Sequence, residues 1–388
     1  MHPPIDPFYA ISISRRAHQL SAQGRSIVHM EFGQPGADAP KAAIAATHQI
    51  LDAGAPGYWE SEALRERIAR SYLEREGVEV GPERILLTCG ASPALVLACT
   101  TAFEPGDRIL VARPGYVAYR NVLKSLHMLA EEVECGPQVR FQLTADMIAA
   151  SDPAPDGVLI ASPANPTGAI IPPDELKRIA GVCRERGIQL ISDEIYHRLS
   201  YGEPAHSILR YDPQAIVINS FSKYFCMPGW RIGWTVMPPE LVSPARARLG
   251  NLFLSAPSLS QVAALAAMDC EEELDGHLET YRRNRALLLQ GLPALGFGTI
   301  APPDGAFYIY ASVAHLTDDS LALCHTLLDE AGVAVAPGID FDPDQGRRFI
   351  RLSFAVTTAD VEEALRRLEA WLHDRQPVAA APAARVPG

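Results

Sequence analysis

Between about residues 42 and 285, short runs of β-branched and other apolar residues alternate with longer amphipathic stretches. The runs RILLTC (84–89), DRILVA (107–112), GVLIASP (157–163), IQLISDE (188–194) and AIVINSF (215–221) predict strands, and several of the intervening segments predict helices. Alternation of this kind is the signature of an α/β domain built on a mostly parallel sheet.

After about residue 286 the pattern changes. A helix is followed by the strand-like FYIYASV (307–313), an amphipathic helix around LALCHTLLDEAG (321–332), the strand-like RFIRLSFAV (348–356) and a final helix VEEALRRLEAWLHDR (361–375). This reads as a smaller α+β domain. The first forty residues hold one helical stretch and the segment SIVHMEFGQPG (26–36), too little for a domain alone. They are expected to pack on the C-terminal part, giving a large domain over 42–285 and a discontinuous small domain over 1–41 and 286–375. The Ala-, Pro- and Val-rich tail 376–388 has almost nothing to anchor it and is expected to be disordered.

Composition narrows the function classes. The chain has 388 residues, 48% of them hydrophobic, enough for a sizeable core. Its formal charge of -12, with no basic block, argues against nucleic acid and anionic membrane surfaces as partners. No apolar run reaches membrane-span length, and the N-terminus lacks the pattern of a secretory signal. Seven cysteines at irregular positions form no zinc pattern, so no metal is expected; their odd number leaves at least one unpaired, which fits a reducing cytoplasm.

The candidate chemistry lies at the ends of three predicted strands. AIVINSF runs into Ser222 and Lys223, with Arg231 eight residues beyond the lysine. An amine flanked by hydroxyls and followed by a guanidinium could form an imine while the neighbours hold a phosphate. Alone, a lysine at such a strand end is more often an ordinary surface residue. IQLIS ends in Asp193, where open α/β sheets bind ligands, although an Asp there is more often a helix cap. GVLIASP leads into Asn165-Pro166-Thr167-Gly168, which by itself is only turn chemistry.

Together, SPANPTG, SDEIY and SFSKYFCMPGWRIGW stand in the order and at the spacings of the class I/II aminotransferases, which the chain resembles over roughly residues 26 to 372. TCGASPAL, ARPGYVAY, NLFLSAPSLSQ, GAFYIY and FIRLSFA also look like their family counterparts. The resemblance implies the α/β architecture of fold type I enzymes that depend on pyridoxal 5'-phosphate (PLP). It also implies amino-group transfer from an L-amino acid to a 2-oxo acid through a Schiff base at Lys223, and a homodimer. Lys223 then doubles as the proton-shuttling base, Asp193 pairs with the ring nitrogen, and Tyr196 and Asn165 donate to the phenolic oxygen. Gly90, Ala91, Ser92, Ser220, Ser222 and Arg231 correspond to the phosphate site, and Tyr116 to the residue stacked on the ring. Arg351 corresponds to the clamp on the substrate α-carboxylate, and Gly33 to a glycine near the substrate.

Tyr58 is the candidate for a residue reaching the partner subunit's phosphate. Here the chain departs from the family, being shorter before its Leu-Arg pair, with Trp59-Glu60 in place of the usual arrangement. Ser92 stands where some members with acidic substrates carry lysine, and FDPDQGRRF differs from the commoner glycine-ended loop, so the amino donor stays open. Two other readings also remain: a β-eliminating lyase of the same fold would use the same Lys223, Asp193 and Arg351, and a non-catalytic ligand-sensing module is the alternative from another class.

Overall fold

A computed structural model describes residues 5–54 and 57–375; the tail expected to be disordered lies outside the described residues. Twelve strands are formed among them: β1 (Val28–His29), β2 (Ile85–Thr88), β3 (Arg108–Arg113), β4 (Leu129–Glu134), β5 (Gly157–Ala161), β6 (Gln189–Asp193), β7 (Ile216–Ser220), β8 (Gly233–Val236), β9 (Tyr308–Ser312), β10 (Val333–Ala334), β11 (Ala336–Pro337) and β12 (Phe349–Ser353).

Seven of them make one sheet in the order β2-β8-β7-β6-β5-β3-β4. All its pairings are parallel except those of β8, which runs antiparallel to both β2 and β7. The fold is therefore the expected α/β type with a mostly parallel sheet. Two of its strands lie outside the predicted runs. β4 (LAEEVE) is an edge strand whose three glutamates interrupt the apolar signal, and charged edge residues discourage further pairing. β8 (GWTV) is only four residues long and begins inside the motif around Lys223.

The central strands are apolar on both faces because helices cover both sides. Val158, Leu159 and Ile160 of β5 and Ile216, Val217 and Ile218 of β7 are all buried. On one side the helix Ala91–Ala102 packs Ala94, Leu95 and Ala98 into a cluster with Leu86, Leu159, Ile191, Ile216 and Ile218. At about 25 cal/mol per Å² of apolar area, such burial is the main force holding helix to sheet.

A second sheet, β11-β12-β9, is antiparallel, and β1 pairs in parallel with β10. The N-terminal helix Tyr9–Ala22 has no cap of its own; the Asp340 carboxylate accepts from the backbone N–H groups of Tyr9 and Ala10, each at 2.8 Å. Ser353 N–H donates to Met30 O at 2.8 Å. Residues near the start of the chain are thus tied to the segment after residue 330.

Candidate active site

The register of three strands assembles one half of the site. Gly233, the first residue of β8, lies opposite both Thr88 at the end of β2 and Ser220 at the end of β7. Because β8 is antiparallel, its start sits at the carboxyl edge of its parallel neighbours. Arg231, two residues before Gly233, therefore meets Gly90, two residues past β2, at the edge where Ser222 lies two residues past β7. The approach is close: a Cβ on Gly90 would stand 2.5 Å from Arg231 Nη2, and one on Gly233 would stand 3.1 Å from Gly90 Cα. Gly90 has φ +102, which favours glycine, and it precedes the helix Ala91–Ala102, whose free N–H groups face the same edge. A guanidinium, a hydroxyl and a helix N-terminus converge here, a combination that suits a phosphate.

Asp193 ends β6. Its Oδ2 accepts from the Tyr119 hydroxyl at 2.6 Å and its Oδ1 from Ile195 N–H at 3.1 Å. Burial pushes its pKa up, and this outweighs the two hydrogen bonds and the nearby Lys223, which pull it down. A buried carboxylate held this way gains from a cationic N–H placed against it. Lys223, half-buried, donates to Gly33 O at 2.6 Å. Burial, helped by the charges of Arg351 and Arg231 and opposed by Asp193, lowers its pKa to about 8.

The other half of the site is centred on Arg351 in β12, which is 2% exposed. Its Nη1 donates to Asn165 Oδ1 at 3.0 Å and its Nη2 to Glu31 O at 2.6 Å, while Nε has no hydrogen-bond partner. Its guanidinium carbon lies 4.5 Å from the Tyr308 ring centre and 4.9 Å from that of Phe341, which belongs to the unusual FDPDQGRRF loop. Among the described residues no carboxylate lies within ion-pair distance of it. An unpaired buried cation costs several kcal/mol, only part of which two aromatic faces return.

Between these halves lies a cavity of about 490 Å³. Of the residues singled out in the sequence, Gly33, Ala91, Ser92, Tyr116, Asn165, Asp193, Tyr196, Ser222, Lys223, Arg231 and Arg351 line it. Gly90 and Ser220 do not. Gly90 is packed behind Arg231, and the Ser220 hydroxyl lies 2.8 Å from that of Ser222 while accepting Ser222 N–H at 3.0 Å. Ser220 thus holds Ser222 in place. Tyr58 is 85% exposed and away from this chain's own cavity.

Three contributors went unnoticed in the sequence. Tyr119 follows Tyr116 by three residues, so both rings project from one side of the helix Val117–Ser125 and its preceding residue, 5.5 Å apart. That spacing was an available signal. Tyr308 shares a 2.7 Å hydrogen bond with the Tyr196 hydroxyl, and a Cβ on Gly33 would stand 2.1 Å from its oxygen. Phe8, placed by the capping of the N-terminal helix, lines the cavity 6.3 Å from the Tyr116 ring. Both are long-range contacts with no local signature.

The model of the family described as aminotransferase class I and II matches residues 27–368. A valine–pyruvate aminotransferase of Mycobacterium tuberculosis is 45% identical over 375 residues, covering 95% of this chain and 97% of that protein. The crystal structure of an aminotransferase from Mycobacterium tuberculosis superposes with a TM-score of 0.93 at 44% identity, covering 96% of this chain and 98% of the other. An aspartate aminotransferase from Thermus thermophilus, solved with maleate, gives a TM-score of 0.88 at 31% identity, covering 94% and 97% of the two chains.

Proposed function

The chain belongs to the class I and II aminotransferases, and on that premise we propose that it binds PLP at Lys223 and takes the amino group from a neutral, apolar L-amino acid. Amino-group transfer to a 2-oxo acid is the activity of the family.

The residues fit PLP. Arg231, Ser222, Ser92 and the helix N-terminus at Ala91 would take its phosphate, Asp193 its ring nitrogen, Asn165 and Tyr196 its phenolic oxygen, and Tyr116 one face of the ring. When bound, PLP supplies an aldehyde that takes up the amino group and a conjugated ring that withdraws electrons from the substrate α-carbon. The chain does the rest. Asp193, oriented by Tyr119, keeps a proton at the ring nitrogen. Lys223, with its pKa lowered to about 8, has an accessible neutral form that can take a proton from the α-carbon and return it elsewhere. Arg351 binds and orients the α-carboxylate through its planar fork. The apolar walls exclude water from the exchange.

The observation that carries this reading is the buried Arg351, whose missing counter-charge an α-carboxylate would supply. The neutral side chain is supported by the remaining wall. Phe8, Phe32, Leu95, Val122 and Ile195 line the cavity, and its cations among the described residues are Lys223, Arg231 and Arg351, each with a task already. The relative named for valine and pyruvate points the same way. The reading also takes residues 42–285 as the cofactor-binding domain, with 1–41 and 286–375 as the smaller one, and takes the working form as a cytoplasmic homodimer in which the exposed Tyr58 meets the partner. Single-turnover assays with a panel of amino acids test it: valine, alanine and leucine should each give about one equivalent of 2-oxo acid per active site. Preference for aspartate or glutamate would contradict the substrate class, and release of pyruvate and ammonia from β-substituted substrates in place of transfer would favour elimination.

A further inference from the structure

On the far side of Glu31 from the active site, we propose that His18, His29 and Glu31 form a binding site for one divalent transition-metal ion with zinc-like ligand preferences. One donor atom from each residue lies within 4.8 Å of the other two. His18 comes from the N-terminal helix, and the other two from β1 and the residues just after it. The Glu31 side chain is 1% exposed, and its Oε2 has no hydrogen-bond partner of acceptable geometry, the nearby Ser14 hydroxyl included. It points into a cavity of about 330 Å³ shared with both histidines and with Ser353, whose buried hydroxyl is also unpartnered.

The outer contacts leave the right atoms free. His18 Nδ1 lies 2.8 Å from Ser14 O, which can only accept, so Nδ1 carries the hydrogen and Nε2 keeps its lone pair. His29 Nε2 lies 3.2 Å from the Ser21 hydroxyl, which leaves Nδ1 facing Glu31 Oε1 at 3.1 Å. Histidines that ligate metals usually give their second nitrogen to a carbonyl or hydroxyl in this way. The 3.1 Å separation is a hydrogen bond when a proton lies between the atoms, and it is also close to the edge of a tetrahedral site with bonds of about 2.0–2.1 Å. A metal ion would replace that proton and engage the free Oε2 region, with the exposed His18 ring closing in. Two imidazoles and a carboxylate, without thiolate, suit zinc, cobalt or nickel, and three protein ligands leave one position open toward the cavity.

The ion would pin the N-terminal helix to the strand segment beside it. That helix begins next to Phe8 in the active-site wall, and the Glu31 carbonyl holds Arg351, so the metal would steady a wall of the active site while taking no part in the chemistry.

The test uses the cofactor-loaded protein, freed of metal by chelation and titrated with zinc or cobalt by calorimetry, with thermal unfolding followed alongside. One equivalent should bind and raise Tm. His18→Ala, at an exposed position where the fold is not at stake, should weaken binding at least about ten-fold and abolish the Tm shift while turnover without metal stays unchanged. His29→Gln should do the same to binding. Absence of saturable binding, or equal binding by wild type and both variants, would overturn the proposal; the His29–Glu31 contact is then an ordinary ion pair.

Discussion

The Tyr119 hydroxyl donates a 2.6 Å hydrogen bond to Asp193 Oδ2, from a helix 74 residues earlier in the chain. It bears on the side chain proposed to meet a cationic ring nitrogen, and it favours the ionised carboxylate that this role would require. Tyr119→Phe keeps the ring packing and removes the bond. Hydrogen bonds to charged groups are worth about 1.5–3 kcal/mol. Turnover should therefore fall roughly ten-fold or more, with KM for the amino acid little changed and cofactor retained. Unchanged turnover would show that Asp193 needs no such support.

Gly90→Ala introduces a Cβ where φ is +102 and where Arg231 Nη2 is 2.5 Å away. The guanidinium has to shift, and the backbone is strained by about 1–3 kcal/mol. Affinity for PLP should drop at least about ten-fold while far-ultraviolet circular dichroism stays native. Equal affinity would remove Arg231 from the phosphate site.

In its proposed role Lys223 would capture PLP only as a neutral amine, and its pKa is lowered to about 8. Below that value the neutral fraction falls about ten-fold per pH unit. The rate at which cofactor-free protein takes up PLP should fall in parallel, when followed by visible absorbance at fixed ionic strength. A rate independent of pH below 8 would mean that burial does not set this amine's reactivity.

Glu194 is fully covered, and burial raises its pKa from 4.5 to about 8 against hydrogen bonds from Ile208 N–H and the Ser207 and Ser192 hydroxyls. Its folded-state pKa lies above the unfolded one, so the folded state holds a proton that the unfolded chain has lost. The associated stability is fully present below pH 4.5 and is lost as pH rises to about 8. Denaturant unfolding of Glu194→Gln should show a flatter dependence across that window than the wild type. Identical slopes would place the titrating group elsewhere.

Arg351→Lys replaces a planar fork with a point charge. Loss of the bidentate contact should reduce kcat/KM by roughly ten- to a hundred-fold, about 1.5–3 kcal/mol, for every amino acid tested, with the visible spectrum of the resting enzyme unchanged. Loss confined to acidic substrates would mean that Arg351 reads the side chain.

The strands that carry the site were legible because their residues are buried on both faces and so stand out as apolar runs: Val158–Ile160, Leu190–Ser192 and Ile216–Ile218. The motif residues around Asn165, Asp193 and Lys223 could be located because each follows the end of such a run. What the one-dimensional pattern hid was register. Only the antiparallel placement of β8, a strand that begins inside the motif around Lys223, explains why Arg231 meets Gly90 across 141 positions of chain. Ser220 and Ser222 look equivalent in sequence, yet Ser220 ends β7 while Ser222 lies in the turn beyond it, and only Ser222 lines the cavity. Phe8 and Tyr308 reach the site through tertiary packing alone.

The central claim, that Lys223 mediates nitrogen transfer from a neutral amino acid, is tested most directly by incubating the enzyme with pyruvate and L-valine carrying heavy nitrogen, then following the label by mass spectrometry. The wild type should deliver the label to alanine in amounts matching the 2-oxo acid formed from valine, and Lys223→Ala should deliver almost none. Label recovered as ammonia, or transfer by the variant at the wild-type rate, would contradict the account.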